Sequence, residues 1–269
     1  MTRVLVLGAH PDDAEFFAGG LLASHRKAGS TLKLVSVTNG QSGHQSVPSP
    51  ELVLRRRTEA AKAGRVIDAD YVTWDFPDGS LQPTLELRLA IIREIRSFRP
   101  DLVLTHRPFD YHPDHRAVGQ AVQDASYMVL VPKILPDLAP PRIEPIVAYM
   151  IDLFTRPCPF RGDVILDVSE HWETVISMMD SHESQFYEWM PWIDGILESV
   201  PQDREARRAW LEAWYSEKTQ ARTARFWQSA WGSKPKLLEA YEISEYAGKP
   251  SVETLEKLFP GKRHSTDNK

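Results

Sequence analysis

"VLGAHPDDAEFFAGG", Val6–Gly20, decides how this chain is read. A short apolar run, Val4–Leu7, stops at Gly8 and is followed by one histidine, two adjacent aspartates and then a pair of glycines. An unbroken run of Val and Leu suits a strand buried on both faces of a parallel sheet. Two carboxylates at its end are costly unless a helix N-terminus, an arginine or a metal ion offsets their charge. Alone, the stretch leaves two readings open. Asp12 or Asp13 could cap a helix by accepting backbone N–H bonds, or the histidine and the aspartates could face a cation.

Working outward, strand and helix signals alternate. A helix is expected over about 16–28, a strand over 31–38 ("TLKLVSVT"), a helix over about 51–67, and a strand over 71–76 ("YVTWDF"). An amphipathic helix follows over 84–98, with Leu85, Leu89, Ile92 and Ile95 on one face, then a strand over 100–106 and a helix after "HPDH". That alternation implies right-handed βαβ units and a parallel sheet. A proline-rich connection, 132–145, leads to further strands expected at 146–154 and 163–168, and the rest reads as helical. The expected fold class is therefore a Rossmann-like α/β domain, with helices on both faces of a mostly parallel sheet. Residues 1–260 form that single domain, its C-terminal helical part covering roughly 170–260, and 261–269 are expected to be a disordered tail.

Composition removes several classes of function. The 269 residues are 42% hydrophobic and 26% charged with a net charge of −5, an ordinary globular balance with no basic footprint for nucleic acid or an anionic membrane. No apolar segment approaches the ~18 residues of a bilayer span. A single cysteine, Cys158, excludes internal disulfides and a thiolate metal cluster, so any metal must be held by His and carboxylate. The start "MTRVLVLGAH" is too short an apolar run for a signal peptide, and a cytoplasmic location is expected. "GAHPDDAEFFAGG" also lacks the glycine spacing that brings backbone against a pyrophosphate, which argues against dinucleotide binding.

The second informative stretch is "DYHPDH", Asp110–His115. Alone it could be a turn in which Asp114 caps the next helix. In an open parallel sheet, however, ligands bind beyond the carboxyl ends of the strands. His10, Asp12 and Asp13 lie just past the first strand; His112, Asp114 and His115 lie a few residues past the fourth. Two polar clusters about 100 residues apart thus emerge at one sheet edge. A hydrolytic zinc site needs three protein ligands and an open position, which two histidines and a carboxylate supply. A further carboxylate can take a proton from water. A further histidine, oriented by its own carboxylate, can stabilise an oxyanion or protonate a leaving amine.

Together, "AHPDDAEFFAGG" and "DYHPDH" resemble the PIG-L/LmbE-like superfamily of metal-dependent deacetylases, which act on N-acetylglucosamine units. "TNGQSG", "RRTEAA", "FPDGSL", "RPDLVLTH" and "HESQ" follow in the order the resemblance leads one to expect, over most of the chain. The resemblance implies zinc, one per chain, on His10, Asp13 and His115. It implies Asp12 as general base, His112 as the group stabilising the tetrahedral intermediate with Asp114 as its carboxylate partner, and Arg56 as a substrate-binding arginine. It implies a small-molecule aminosugar or glycoconjugate as substrate, and a homo-oligomer is expected. The chain departs from the family pattern at Gln41, where relatives often carry Glu, and at Asp110, where some carry an active-site tyrosine; Tyr111 lies adjacent.

Other residues carry less. The Arg55–Arg57 run reads equally as a solvated helix face, and His182 in "SHESQ" as a surface histidine. Trp210, Trp214, Phe226, Trp227 and Trp231 recur along a helical stretch expected to end at Gly232, a spacing that favours packing over sugar stacking. His25, His44, His106 and His171 are assigned no role.

Overall fold

The computed structural model describes residues 1–227 and 234–264. The chain runs β1 (Arg3–Gly8), α1 (Asp13–Lys27), β2 (Thr31–Thr38), α2 (Ser49–Val66), β3 (Asp70–Phe76), α3 (Leu85–Phe98), β4 (Leu102–Thr105), α4 (Pro113–Met128) and β5 (Ile146–Met150). It continues through β6 (Val164–Asp167), α5 (Trp172–Met179), a π-helical turn over Ser184–Trp189 that runs into α6 (Met190–Ile193), α7 (Arg204–Thr223), β7 (Leu238–Ile243), α8 (Val252–Leu258) and β8 (Lys262–His264). One eight-stranded sheet holds these strands in the order β3-β2-β1-β4-β5-β7-β6-β8. The pairs from β3 to β5 are parallel; β7 pairs antiparallel with β5 and β6, and β8 antiparallel with β6.

The alternation of side chains along each strand builds two cores. Val4 and Val6 of β1, Leu32 and Leu34 of β2, and Leu102 and Leu104 of β4 face α1, α5 and α7. Leu5, Leu7, Val35, Val37 and Val103 face the other way, onto α3 and α4. All eleven are at most 3% exposed, and each such burial is worth ~1.5–3 kcal/mol. That two-sided demand explains why β1 reads as an unbroken apolar run.

The glycine pair of the opening stretch serves close approach. A Cβ on Gly20 would sit 2.3 Å from Val168 Cγ2 and 3.0 Å from Glu239 Oε1. Without it, Glu239 of β7 reaches into α1 and accepts the N–H groups of Gly20 (2.7 Å) and Leu21 (2.9 Å).

The α/β class with a mostly parallel sheet stands as the sequence implies, with corrections toward the C-terminus. The strand expected over 146–154 stops at Met150. The last third is not all helical, because β7 inserts between β5 and β6 and β8 extends the sheet beyond β6. α7 ends at Thr223, well short of Gly232, and Trp231 lies outside the described residues. Lys262–His264 of the expected tail form an edge strand on β6, while 265–269 lie outside the described residues. No described helix is long and apolar enough to cross a membrane.

Candidate active site

Strand order turns back on itself at β1, whose neighbours are β2 on one side and β4 on the other. Such a reversal opens a crevice at the carboxyl ends of the strands. His10, Asp12 and Asp13 enter it from the β1–α1 junction, and His112, Asp114 and His115 from the start of α4. The two clusters are in direct contact. His10 Nδ1 lies 3.2 Å from His115 Nε2, and His115 Nε2 lies 3.4 Å from Asp13 Oδ1. Ligands at ~2.0–2.1 Å from a tetrahedral zinc stand about 3.3 Å from one another, so these spacings match the edges of such a site.

Hydrogen bonding sorts the donors. Asp13 Oδ2 is occupied: it accepts the His10 N–H at 2.7 Å and lies 3.0 Å from His106 Nε2. Asp13 Oδ1 makes no hydrogen bond among the described residues and faces His115. The trios His10/His112/His115, Asp13/His106/His115 and His10/Asp78/Asp114 also bring donor atoms within 4.8 Å of one another. In the first, His112 Nδ1 is taken by the Asp114 N–H (3.2 Å); in the second, the Ala9 N–H reaches His106 Nε2 (3.2 Å). In the third, His10 would have to turn its Nε2, rather than Nδ1, to the ion. His10 Nδ1, Asp13 Oδ1 and His115 Nε2 make a set free of backbone hydrogen bonds among the described residues; the first trio would use Nε2 of His112.

Three residues that sequence reasoning passed over complete this arrangement. Asp78 of the "FPDGSL" turn places Oδ1 3.1 Å from His10 Nε2, and Asp114 Oδ2 lies 3.3 Å from the same nitrogen. Carboxylates on one imidazole nitrogen fix the tautomer and leave the other nitrogen as the donor pair. Asp110 Oδ1 lies 3.1 Å from His115 Nδ1 in the same relation. His106 stacks on His115 with ring centroids 3.9 Å apart. Burial opposes ionisation of Asp13, yet His115 and His106 hold its carboxyl well below the usual range.

Asp12 does not cap α1: its side chain makes no cap hydrogen bond and its φ is 146°. A non-glycine residue in that region stores ~1–3 kcal/mol of strain, tolerated where the surroundings over-determine it. Arg56 supplies part of that constraint. Its Nη2 donates to Pro11 O (3.0 Å) and lies 3.4 Å from Asp12 Oδ1, and its Nη1 donates to Gly40 O (3.2 Å). At 2% exposed, Arg56 is not a solvated helix residue; it braces the loop around Asp12 while lining the cleft. Burial raises the Asp12 pKa, and Arg56 and His182 pull it back down. His182 is fully buried behind this loop, its Nε2 3.1 Å from Glu15 Oε1, which corrects the surface reading.

His112 caps α4 through the bond from the Asp114 N–H to its Nδ1. That bond makes Nδ1 an acceptor and puts the proton of the neutral ring on Nε2. Burial, with His10 and His115 nearby, lowers its pKa to about 4, so a neutral donor is the form the site favours. The expected pairing of Asp114 with His112 is corrected. The Asp114 carboxylate accepts N–H groups of Gly79 (2.7 Å) and Leu81 (3.1 Å) and reaches His10. Gly79, at φ +83°, makes the turn that aims those donors.

A cleft of about 150 Å³ opens above these groups, lined by His10, Asp12, Arg56, Asp78 and His112 on the polar side and by Tyr111, Trp189 and Met190 on the apolar side. Tyr111 stands at the mouth, 67% exposed. Gln41 turns away to bond Asn39. The tryptophans of α7 pack instead: Trp214 is 8% exposed and lies against Phe16 and Phe186, with Trp210 stacked on it at 6.1 Å.

Comparisons with known proteins give likenesses over this part of the chain. The family model described as PIG-L: GlcNAc-PI de-N-acetylase matches residues 5–126, which contain both His-Pro-Asp clusters. The diacetylchitobiose deacetylase of Thermococcus kodakarensis is 29% identical over 210 residues, covering 72% of this chain and 76% of that protein. The 4-oxalmesaconate hydratase of Pseudomonas putida is 23% identical over 193 residues, covering 69% and 74%. Among solved structures, the N,N'-diacetylchitobiose deacetylase of Pyrococcus horikoshii superposes with a TM-score of 0.70 at 21% identity, covering 91% of this chain and 84% of its own; it shares the fold. Over residues 5–126, then, the chain is similar to the PIG-L family of deacetylases.

Proposed function

We propose that the protein is a zinc-dependent hydrolase that removes an N-acetyl group from an aminosugar of the N-acetylglucosamine type. The observation that carries this is that His115 Nε2 lies 3.2 Å from His10 Nδ1 and 3.4 Å from Asp13 Oδ1, beside a strained, buried Asp12. The ion on these three residues would act as a Lewis acid and bring a water's pKa to about 7. Asp12 takes the proton of the attacking water; Arg56 and the pinned backbone hold its carboxylate in place. His112 donates from Nε2 to the oxygen that becomes negative as the acyl carbon turns tetrahedral. The sugar nitrogen then leaves as an amine, protonated from Asp12.

The diacetylchitobiose deacetylase likeness supports an N-acetyl aminosugar as substrate. The likeness to a hydratase supports a second reading, in which the same site adds water to an unsaturated acid. The deciding experiment incubates zinc-loaded protein with N-acetylglucosamine and its β-1,4-linked dimer, and reads acetate and primary amine against an Asp12→Asn control. Equimolar acetate and amine, absent in the control, is the expected result. No acetate from any N-acyl aminosugar, with hydration of an unsaturated dicarboxylate instead, overturns it.

A further inference from the structure

The reaction cleft is small for the substrate it is proposed to take. At about 150 Å³ it matches a cavity that holds one benzene ring (~150 Å³), so one sugar ring at most enters and anything attached to it crosses the rim. On the apolar side that rim is built from the π-helical turn Ser184–Trp189, which continues into α6. π turns are rare and recur at functional sites because their extra residue re-aims side chains. Here Gln185 and Trp189 both line the cleft.

Outward from Trp189 lies Trp192. The two rings stack with centroids 5.4 Å apart and 16° between planes, and Trp192 remains 48% exposed. The large aromatic residues of α7 find a core; this pair does not. Glu188, which precedes Trp189 in the same turn, is paired with Arg55 at 2.5 Å, and both are about one-third exposed. A flat apolar face edged by polar groups suits a ring with C–H bonds on one side and hydroxyls around its rim.

The geometry points to Trp189 and Trp192 as a stacking platform for a second sugar ring, the pyranose attached to the aminosugar in the cleft. The inference rests on the aminosugar reading above and deepens it: the substrate is a disaccharide or larger glycoside, and a free monosaccharide fills only part of the site. Trp192 is then a specificity-determining residue, outside the reacting atoms.

The test measures binding apart from turnover. Zinc-loaded Asp12→Asn protein is titrated by calorimetry with N-acetylglucosamine, its β-1,4-linked dimer and its 4-nitrophenyl glycoside. The dimer is expected to bind more tightly than the monomer, and Trp192→Ala to reduce that preference about fivefold, the scale of one aromatic contact. Trp192→Tyr, which keeps a ring face, should restore most of it. An unchanged preference in Trp192→Ala, equal binding of monomer and dimer, or no sugar binding at all overturns the platform. So does a Trp192 dependence seen with the nitrophenyl glycoside alone, which would assign the surface to an apolar aglycone. So, too, does a change of oligomeric state in Trp192→Ala in place of a change in binding, which would assign it to a second copy of the chain. Acetate release by the wild-type protein is scored separately: dimer bound through Trp192 but never hydrolysed leaves the platform standing and removes the deacetylase reading.

Discussion

His10-Pro11-Asp12 and His112-Pro113-Asp114 present the same three residue types in the same order, each followed by a residue aimed at the centre of the site. In the first, the chain passes from β1 into α1 within four residues, so the backbone must turn hard and Asp12 takes φ 146°. Its carboxylate faces the cleft, and His10 keeps Nδ1 for His115. In the second, Arg107–Tyr111 give the chain room to enter α4 through an ordinary cap. His112 spends Nδ1 on that cap, and Asp114 points back into the protein, onto Gly79, Leu81 and His10. Only the fourth positions, Asp13 and His115, are equivalent. Identical local sequence leaves one aspartate facing the cleft and turns the other inward because the connection before it differs in length.

Breaking the first copy should have the largest effect. His10→Ala removes a donor that no neighbour replaces, and elemental analysis of the purified protein should find most of the bound metal gone. Next comes Asp12→Asn, expected to keep its metal while kcat falls on the order of 10²–10⁴-fold, as for loss of a general base. The same change in the second copy, Asp114→Asn, should act through His10: metal affinity, read by chelator competition, falls roughly 10–100-fold, and saturating zinc restores much of the rate. Asp78→Asn should do likewise. Were Asp114→Asn to match Asp12→Asn in lost turnover with its metal fully bound, the two copies would be functionally alike and the comparison would fail. The smallest effect on chemistry belongs to Trp214→Ala. It should cost ~3–5 kcal/mol of stability by denaturant melt and leave kcat/KM per folded molecule near the wild-type value.

Much of this was legible in the chain. The β1 run could be placed because burial on both faces leaves no polar positions, and β2 because "TLKLVSVT" ends in Asn39-Gly40. His10, Asp12, Asp13 and His115 could be singled out because strand ends in a parallel sheet converge. Asp78, Asp110 and His106 could not, since each acts through a tertiary contact that no local spacing announces. The "PDGS" turn reads as a turn and nothing more until Asp114 is seen bonded to its N–H groups. The pairing of Asp114 was misjudged because its charged side chain is spent inside the protein, on backbone groups and His10. β7 stayed hidden because Glu239, an acidic residue one position into the strand, breaks the apolar pattern, and its reason lies 219 residues away at Gly20.

That last contact bears on how the protein is made. Glu239 grips the helix that begins with Asp13, yet at ~5–20 residues per second it leaves the ribosome roughly 10–45 seconds after Gly20 does. Through most of that interval α1 has neither its β7 anchor nor the α7 surface that covers Phe16, so its flank stays wet. The nascent chain therefore carries both His-Pro-Asp sequences long before it can hold them rigid, and newly made protein should acquire tight metal binding as one of its last steps of maturation.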